Sequence, residues 1–182
     1  MRLTRGQKVL LTIVPVLMLC VIAAVGIERR RTHALEAKCA KTLRAFGQAI
    51  WLYMHENRGR LPADFPAFAG DQPGELFICP ATDEPPSTAT TPDDLRVDLA
   101  MGRYCSYIYV GDGFTPSSPK LDSKLDADVV LIFEPLKNHN GKNMNVLFAD
   151  QHCEVVSGER AQTILKQHAA GTRPIRLTPD PQ

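Results

Sequence analysis

Hydrophobic positions change their spacing along this chain, and each change marks an element. From Val9 to Ile27 no residue is charged, and Lys8 and Glu28 bound the run. At about 1.5 Å rise per residue it spans roughly 28 Å as a helix, the thickness of a bilayer's hydrocarbon core. Beyond it, Leu35, Cys39, Leu43, Phe46, Ile50 and Tyr53 recur at intervals of 4, 4, 3, 4 and 3, which places them on one helical face. No turn residue separates the two patterns. The chain is therefore expected to form one helix from Val9 to Asn57, with a transmembrane part at 9–27 and an amphipathic stem at 28–60. Trp51 and Met54 are expected to widen the buried stripe. Gly59 supplies a stop, and Leu61-Pro62 cannot comfortably continue the helix.

After the stem the pattern becomes that of a small sheet. Pro62 to Pro92 is rich in Pro, Gly, Asp and Thr and reads as an ordered loop, with Leu76-Phe77-Ile78 as a short extended piece and Cys79-Pro80 fixing its middle. Tyr104 to Val110 and Val129 to Phe133 have strand composition, and Gly111-Asp112-Gly113 ends the first with a turn. Asn145 to Ala149 and His152 to Val156 flank Asp150-Gln151 and predict a hairpin. Three or four antiparallel strands over the stem's apolar face give an α+β head at 61–170. A short closing helix is expected at Gly158 to Gln167, and the Pro-containing segment 171–182 reads as a flexible tail.

Charge adds an asymmetry that the net value of +1 conceals. Residues 1–60 carry 11 Lys plus Arg against 3 acids, 61–98 carry 1 against 8, and 99–182 carry 9 against 9. A basic stem and an acidic loop region suit docking between subunits, although solvated surface explains them as well. Basic residues are not interleaved with aromatics, which argues against nucleic acid. Arg2, Arg5 and Lys8 before the span balance Arg29, Arg30 and Arg31 after it, so charge does not orient the span. Ala24-Val25-Gly26 also fits signal-peptidase cleavage, which makes a cleaved leader the competitor to a retained anchor. Both place the head outside the cytoplasm, and the cysteines beyond the span suit an oxidising compartment. The expected location is the inner membrane, single-pass, with residues 1–8 cytoplasmic and the bilayer as a partner.

The chemistry-bearing side chains are few. Cys39, Cys79, Cys105 and Cys153 allow three complete pairings, and spacing does not choose among them. His139, Asp150, His152 and Cys153 are zinc-ligand types, but adjacent residues on a strand point to opposite faces, so no metal site is expected there. Asp122, Asp126 and Asp128 do not have the spacing of a calcium loop. A thiol-dependent enzyme using Cys105 or Cys153 with a histidine has only residue type in its favour: no nucleophile motif, orienting third group or glycine-rich phosphate cradle accompanies it. The chain is expected to be no enzyme and to need no cofactor, and no small-molecule substrate is identified.

The motifs together resemble a family. Cys39-Ala-Lys-Thr-Leu43-Arg-Ala-Phe46-Gly47-Gln-Ala-Ile50 with Tyr53 and Asn57-Arg58-Gly59-Arg60-Leu61-Pro62 looks like the stem and stem exit of pilin-like and pseudopilin-like proteins that carry a prepilin-type processing-associated signature. That signature is a histidine, nine residues, then Asp-Gly. Phe77-Ile78-Cys79-Pro80 is similar to the family's central Cys-Pro element, and Ser106-Tyr107-Ile108-Tyr109 to its aromatic strand. His139-Asn140-Gly141 and Asn145 to Asp150 resemble its closing hairpin. The resemblance implies a pilin-like fold, a Cys39–Cys79 disulfide with Cys105 and Cys153 as an additional pair, and homologous subunits or secretion-apparatus proteins as partners. The implied setting is a type IV pilus-like or type II secretion-like assembly.

The chain departs from the family's pattern at three places. Gly6-Gln7 is the nearest equivalent of the prepilin cleavage site, but Leu11 stands at the fifth position after Gly6, where the family has glutamate. Ten residues, not nine, separate His139 from Asp150, which an inserted residue in the Gly141 to Met144 loop explains, and Gln151 replaces the signature's glycine. A pilin-fold protein that is exported or tethered but no longer assembles is the alternative these departures imply.

Overall fold

The uncharged run and the stem stripe fall on a single helical element, α1, which spans Arg5–Glu56. The computed structural model describes residues 5–69, 72–116 and 126–178, with the backbone alone for 5–17 and 69. Nine residues of the expected span, 9–17, and the Gly6-Gln7 site therefore lie outside the described side chains. The backbone remains helical through Ile27. Among the described residues no helix is long and apolar enough to cross a membrane.

The chain divides into two compact units, Met1–Leu35 and Glu36–Gln182. In the first, the described apolar side chains Met18, Leu19, Val21, Ile22, Val25 and Ile27 are 49 to 68% exposed. In the second, Cys39, Leu43, Phe46, Ile50 and Met54 of α1 are wholly buried. Tyr53 is half-buried, and Trp51 does not join the stripe: it is exposed and stacks on His55 one turn later. The helix closes at Glu56, one residue before the expected Asn57, because Arg58 turns left-handed at φ 57° and the Gly59 N–H donates back to the Met54 carbonyl at 2.8 Å. Such a bond satisfies one of the carbonyls left over at a helix end.

Four antiparallel strands, β1 (Ile108–Tyr109), β2 (Val130–Phe133), β3 (Asn143–Phe148) and β4 (Cys153–Ser157), pair in chain order. The β3–β4 hairpin runs from Asn143 opposite Ser157 to Leu147 opposite Cys153. A register shift between Val130 and Ile132 bends β2. Leu131, Ile132, Leu147 and Ala149 thus join the α1 stripe in one core. Val130, Phe133, Met144, Val146, Phe148 and Val156 form a second core with Ala161 and Ile164 of α4 (Gly158–Ala169). A sheet roofed on both faces explains why every residue of β2 is buried.

Three expected segments differ in the structure. The loop at 62–92 contains α2 (Phe65–Ala69) and a 3₁₀ turn at Gly74–Phe77, so Leu76-Phe77 is helical and only Ile78 is extended. A helix absent from the expectation, α3, covers Pro92–Ala100, capped by the Thr91 hydroxyl on the Asp94 N–H, with Pro92 in its first turn. The strand expected from Tyr104 shrinks to two residues, since Tyr104 itself has φ 53°.

The third correction concerns the tail, which is not loose where it is described. Val130 N–H donates to the Ile175 carbonyl and Leu177 N–H to the Asp128 carbonyl, at 2.9 and 2.8 Å, and both apolar side chains are buried in the α4-side core. Ile175→Ala is expected to lower folding stability by about 2–5 kcal/mol in denaturant titration, the cost of truncating a buried aliphatic side chain. A mobile tail would show no change.

Candidate functional site

Phe46 organises the site's surroundings. Its ring lies 5.2 to 5.5 Å from those of Phe65, Phe77 and Tyr107, bringing α2, the 3₁₀ turn and the segment before β1 onto the stem. Cys39, two turns earlier on α1, is thereby brought to Cys79, two residues after Phe77. Their Sγ atoms are 3.2 Å apart, both buried, and both cysteines are free. The resemblance-implied partners do meet, but as thiols.

Two further donors complete the cluster from the far side. Glu134 follows β2 directly, and its backbone N–H donates to Asn145 on β3. His139 closes the 3₁₀ turn Leu136–His139, which the left-handed Asn140 and Gly141 terminate. His139 Nε2 lies 2.6 Å from Glu134 Oε2 and 3.8 Å from Cys79 Sγ. The same carboxylate oxygen accepts from the Asn145 side-chain amide at 2.8 Å and its backbone N–H at 3.3 Å. Glu134 Oε1 is buried with no hydrogen-bond partner among the described residues. One donor atom from each of Cys39, Cys79, Glu134 and His139 lies within 4.8 Å of the others, and all four residues are buried.

The electrostatics follow from this crowding. The hydrogen bond from Cys39, with help from His139, lowers Cys79 to about 6, while Cys39 itself is held well above the ordinary thiol range by that bond and by burial. His139 is raised to about 10 by Cys79 and then Glu134, against the opposing effect of burial. Burial and the nearby Glu134 carboxylate also push the Tyr107 hydroxyl up.

The other sequence candidates lie elsewhere. Cys105 Sγ donates to the Tyr107 carbonyl, and burial raises both Cys105 and Cys153 to about 11. Asp150 accepts from the His152 backbone N–H at 3.1 Å and pairs with its ring, making it a hairpin-turn residue; the His152 ring stacks on Phe148. His139 thus belongs with Cys39 and Cys79 rather than with Asp150, His152 and Cys153. Of the three aspartates that lack calcium-loop spacing, Asp122 lies outside the described residues and Asp128 is paired with Arg176 at 2.6 Å. Glu134 is the site residue that the sequence reading missed. A carboxylate directly after the strand Val130–Phe133 was the available signal.

Chemically, two thiols, an imidazole and a carboxylate can hold a tetrahedral cation, or the thiols alone can be oxidised to a disulfide. The arrangement does not resemble a nucleophile with its base, because Cys79 and Glu134 converge on the same imidazole nitrogen and the cluster is closed to solvent. Comparison with protein-family models, with curated proteins and with solved structures returns no match.

The pH dependence of stability follows from the two opposed shifts. His139, raised from 6.5 to about 10, contributes stability that is full below pH 6.5 and disappears as pH rises through 10. Cys79, lowered from 9.0 to about 6, contributes stability that is full above pH 9.0 and disappears as pH falls through 6. In reduced, chelator-treated protein the two slopes oppose each other between pH 6.5 and 9.0, and the denaturant midpoint is expected to stay nearly flat across that window. Cys79→Ser leaves His139 paired only with Glu134, so its midpoint is expected to fall as pH rises across the same window.

Proposed function

We propose that this chain is a non-enzymatic, single-pass membrane-anchored subunit of pilin-like or pseudopilin-like architecture, with its head outside the cytoplasm. The observation that carries the reading is the exposure of Met18, Leu19, Val21, Ile22, Val25 and Ile27 on a continuous helix. At 100° per residue these positions fall all round the axis, and a helix apolar on every side needs lipid or other helices to cover it. In the sequence the uncharged run reaches back to Val9, which gives it the length a bilayer requires. The buried stripe that follows supports a stem roofed by its own head.

In this reading the span packs beside homologous subunits, and the solvent-exposed residues within 63–98 and 111–116 belong to the outer surface, within a type IV pilus-like or type II secretion-like apparatus. A thiol-enzyme role is disfavoured because burial raises Cys105 and Cys153 and encloses Cys79. The alternative, a pilin-fold protein tethered without assembling, draws on one feature: Leu11 stands where the family that the chain resembles has glutamate.

The protein is expected to stay in the membrane pellet after alkaline carbonate extraction and to be released by detergent. Val21→Arg with Ile22→Arg is expected to shift it toward the soluble fraction, since an arginine at mid-span costs about 2.5–3.5 kcal/mol on insertion scales. Recovery of a soluble monomer lacking residues 1–26 would overturn the anchor. The mass of the mature amino terminus separates the routes: Met1 marks an uncleaved anchor, Gln7 prepilin processing and Ile27 secretion. Cross-linking in the membrane that yields only monomer selects the non-assembling alternative.

A further inference from the structure

We propose that Cys39, Cys79, Glu134 and His139 form a structural zinc site that staples the loop before α3 and the β2–β3 connection onto α1. The inference is independent of the membrane reading, because every ligand lies in the unit Glu36–Gln182.

The donor set is complete within the protein. Two sulfurs, one imidazole nitrogen and one carboxylate oxygen fill a tetrahedron, which is the closed coordination of structural rather than catalytic zinc. With Zn–S bonds of about 2.3 Å a tetrahedral site separates its sulfurs by about 3.8 Å, and its nitrogen and oxygen ligands by about 3.3 Å. The pairs stand at 3.2 and 2.6 Å, so each must spread by about 0.6–0.7 Å, a side-chain adjustment, to admit the ion. Outer-shell support is already in place: Asn145 holds Glu134 Oε2 through both its amide groups.

Charge and burial favour the cation over a disulfide. A disulfide would use the two sulfurs alone and leave the wholly buried Glu134 carboxylate and His139 beside it with no part in the staple. Burying a carboxylate is costly unless a cation faces it. Zinc entry releases whatever protons the thiols and the imidazole hold, with no change of oxidation state. Two thiolates and a carboxylate against a dication leave one net negative charge, which the Asn145 donors face. The staple joins positions 39, 79, 134 and 139, so its binding energy is folding energy for the head.

The test uses the full chain in detergent, reduced and stripped with chelator, then titrated with Co²⁺. One equivalent is expected to give tetrahedral d–d absorption with thiolate-to-cobalt charge transfer, bleached by one equivalent of Zn²⁺, and zinc is expected to raise the thermal midpoint. His139→Ala is expected to weaken Zn²⁺ binding more than 100-fold, and Asn145→Ala, acting through Glu134, by about 10–100-fold. Cys105→Ser is expected to leave affinity and stoichiometry unchanged. His139→Cys restores a fourth donor, and its recovery of charge-transfer intensity separates a lost ligand from a misfolded head. Absence of cobalt absorption in the reduced wild-type chain would overturn the site. So would alkylation mapping of protein taken from its native membrane that finds Cys39 bonded to Cys79.

Discussion

The burial of one face of α1 is the constraint on which the rest of this molecule depends. Cys39, Leu43, Phe46, Ile50 and Met54 would form an apolar stripe in water if nothing lay over them, and β2, β3 and the aromatic loop segments would lose their floor. Phe46 concentrates the effect. Its edge-to-face partners are Phe65 and Phe68 from the one-turn helix α2 and Tyr107 from the segment before β1, so one ring ties both to the stem. The close approach continues at Gly47, where a Cβ would sit 2.7 Å from Gln151 Oε1, while the Gln151 amide donates to the Gly47 carbonyl. The hairpin tip thereby bonds directly to the stem.

The polar cluster is a consequence of that packing. With Phe46 and Phe77 packed at a tilt, Cys39 and Cys79 are brought together, and the short 3₁₀ turn after β2 carries His139 to them. The cluster's other links run outward through Asn138 to the Ser106 carbonyl, and from the Ser106 hydroxyl to Glu84. A glutamate held below its ordinary pKa by that hydroxyl, and facing Lys137, closes the network at the surface. Apolar stripe and polar core thus fix the same loops from two directions.

The sequence made the regular elements readable because their patterns are local. The 4, 4, 3, 4, 3 spacing of the stem and the two strand-like runs around Asp150-Gln151 each carry their own period. Helix α3 had an equally local signature in Thr91-Pro92-Asp93-Asp94, a cap with acids in the first turn, but a run of turn-forming residues before it masked the signal. The buried tail was not readable, since three prolines in a terminal segment look mobile until β2 offers it an edge. The site was half legible. Resemblance paired Cys39 with Cys79, whereas the convergence of Glu134 and His139 depends on a turn and a β2–β3 register that spacing alone does not encode. In His139 and Asp150, residues of one motif serve two separate places.

Amide hydrogen exchange on the full chain in detergent tests the central claim most directly. If the stem face and the sheet form one cooperative core, amides of residues 39–54 exchange as slowly as those of β2 and β3, and all three accelerate together when Phe46 is replaced by Ala. Rapid exchange of 39–54 while β2 and β3 stay protected would contradict the account, because the stem would then stand apart from the sheet that is held to roof it.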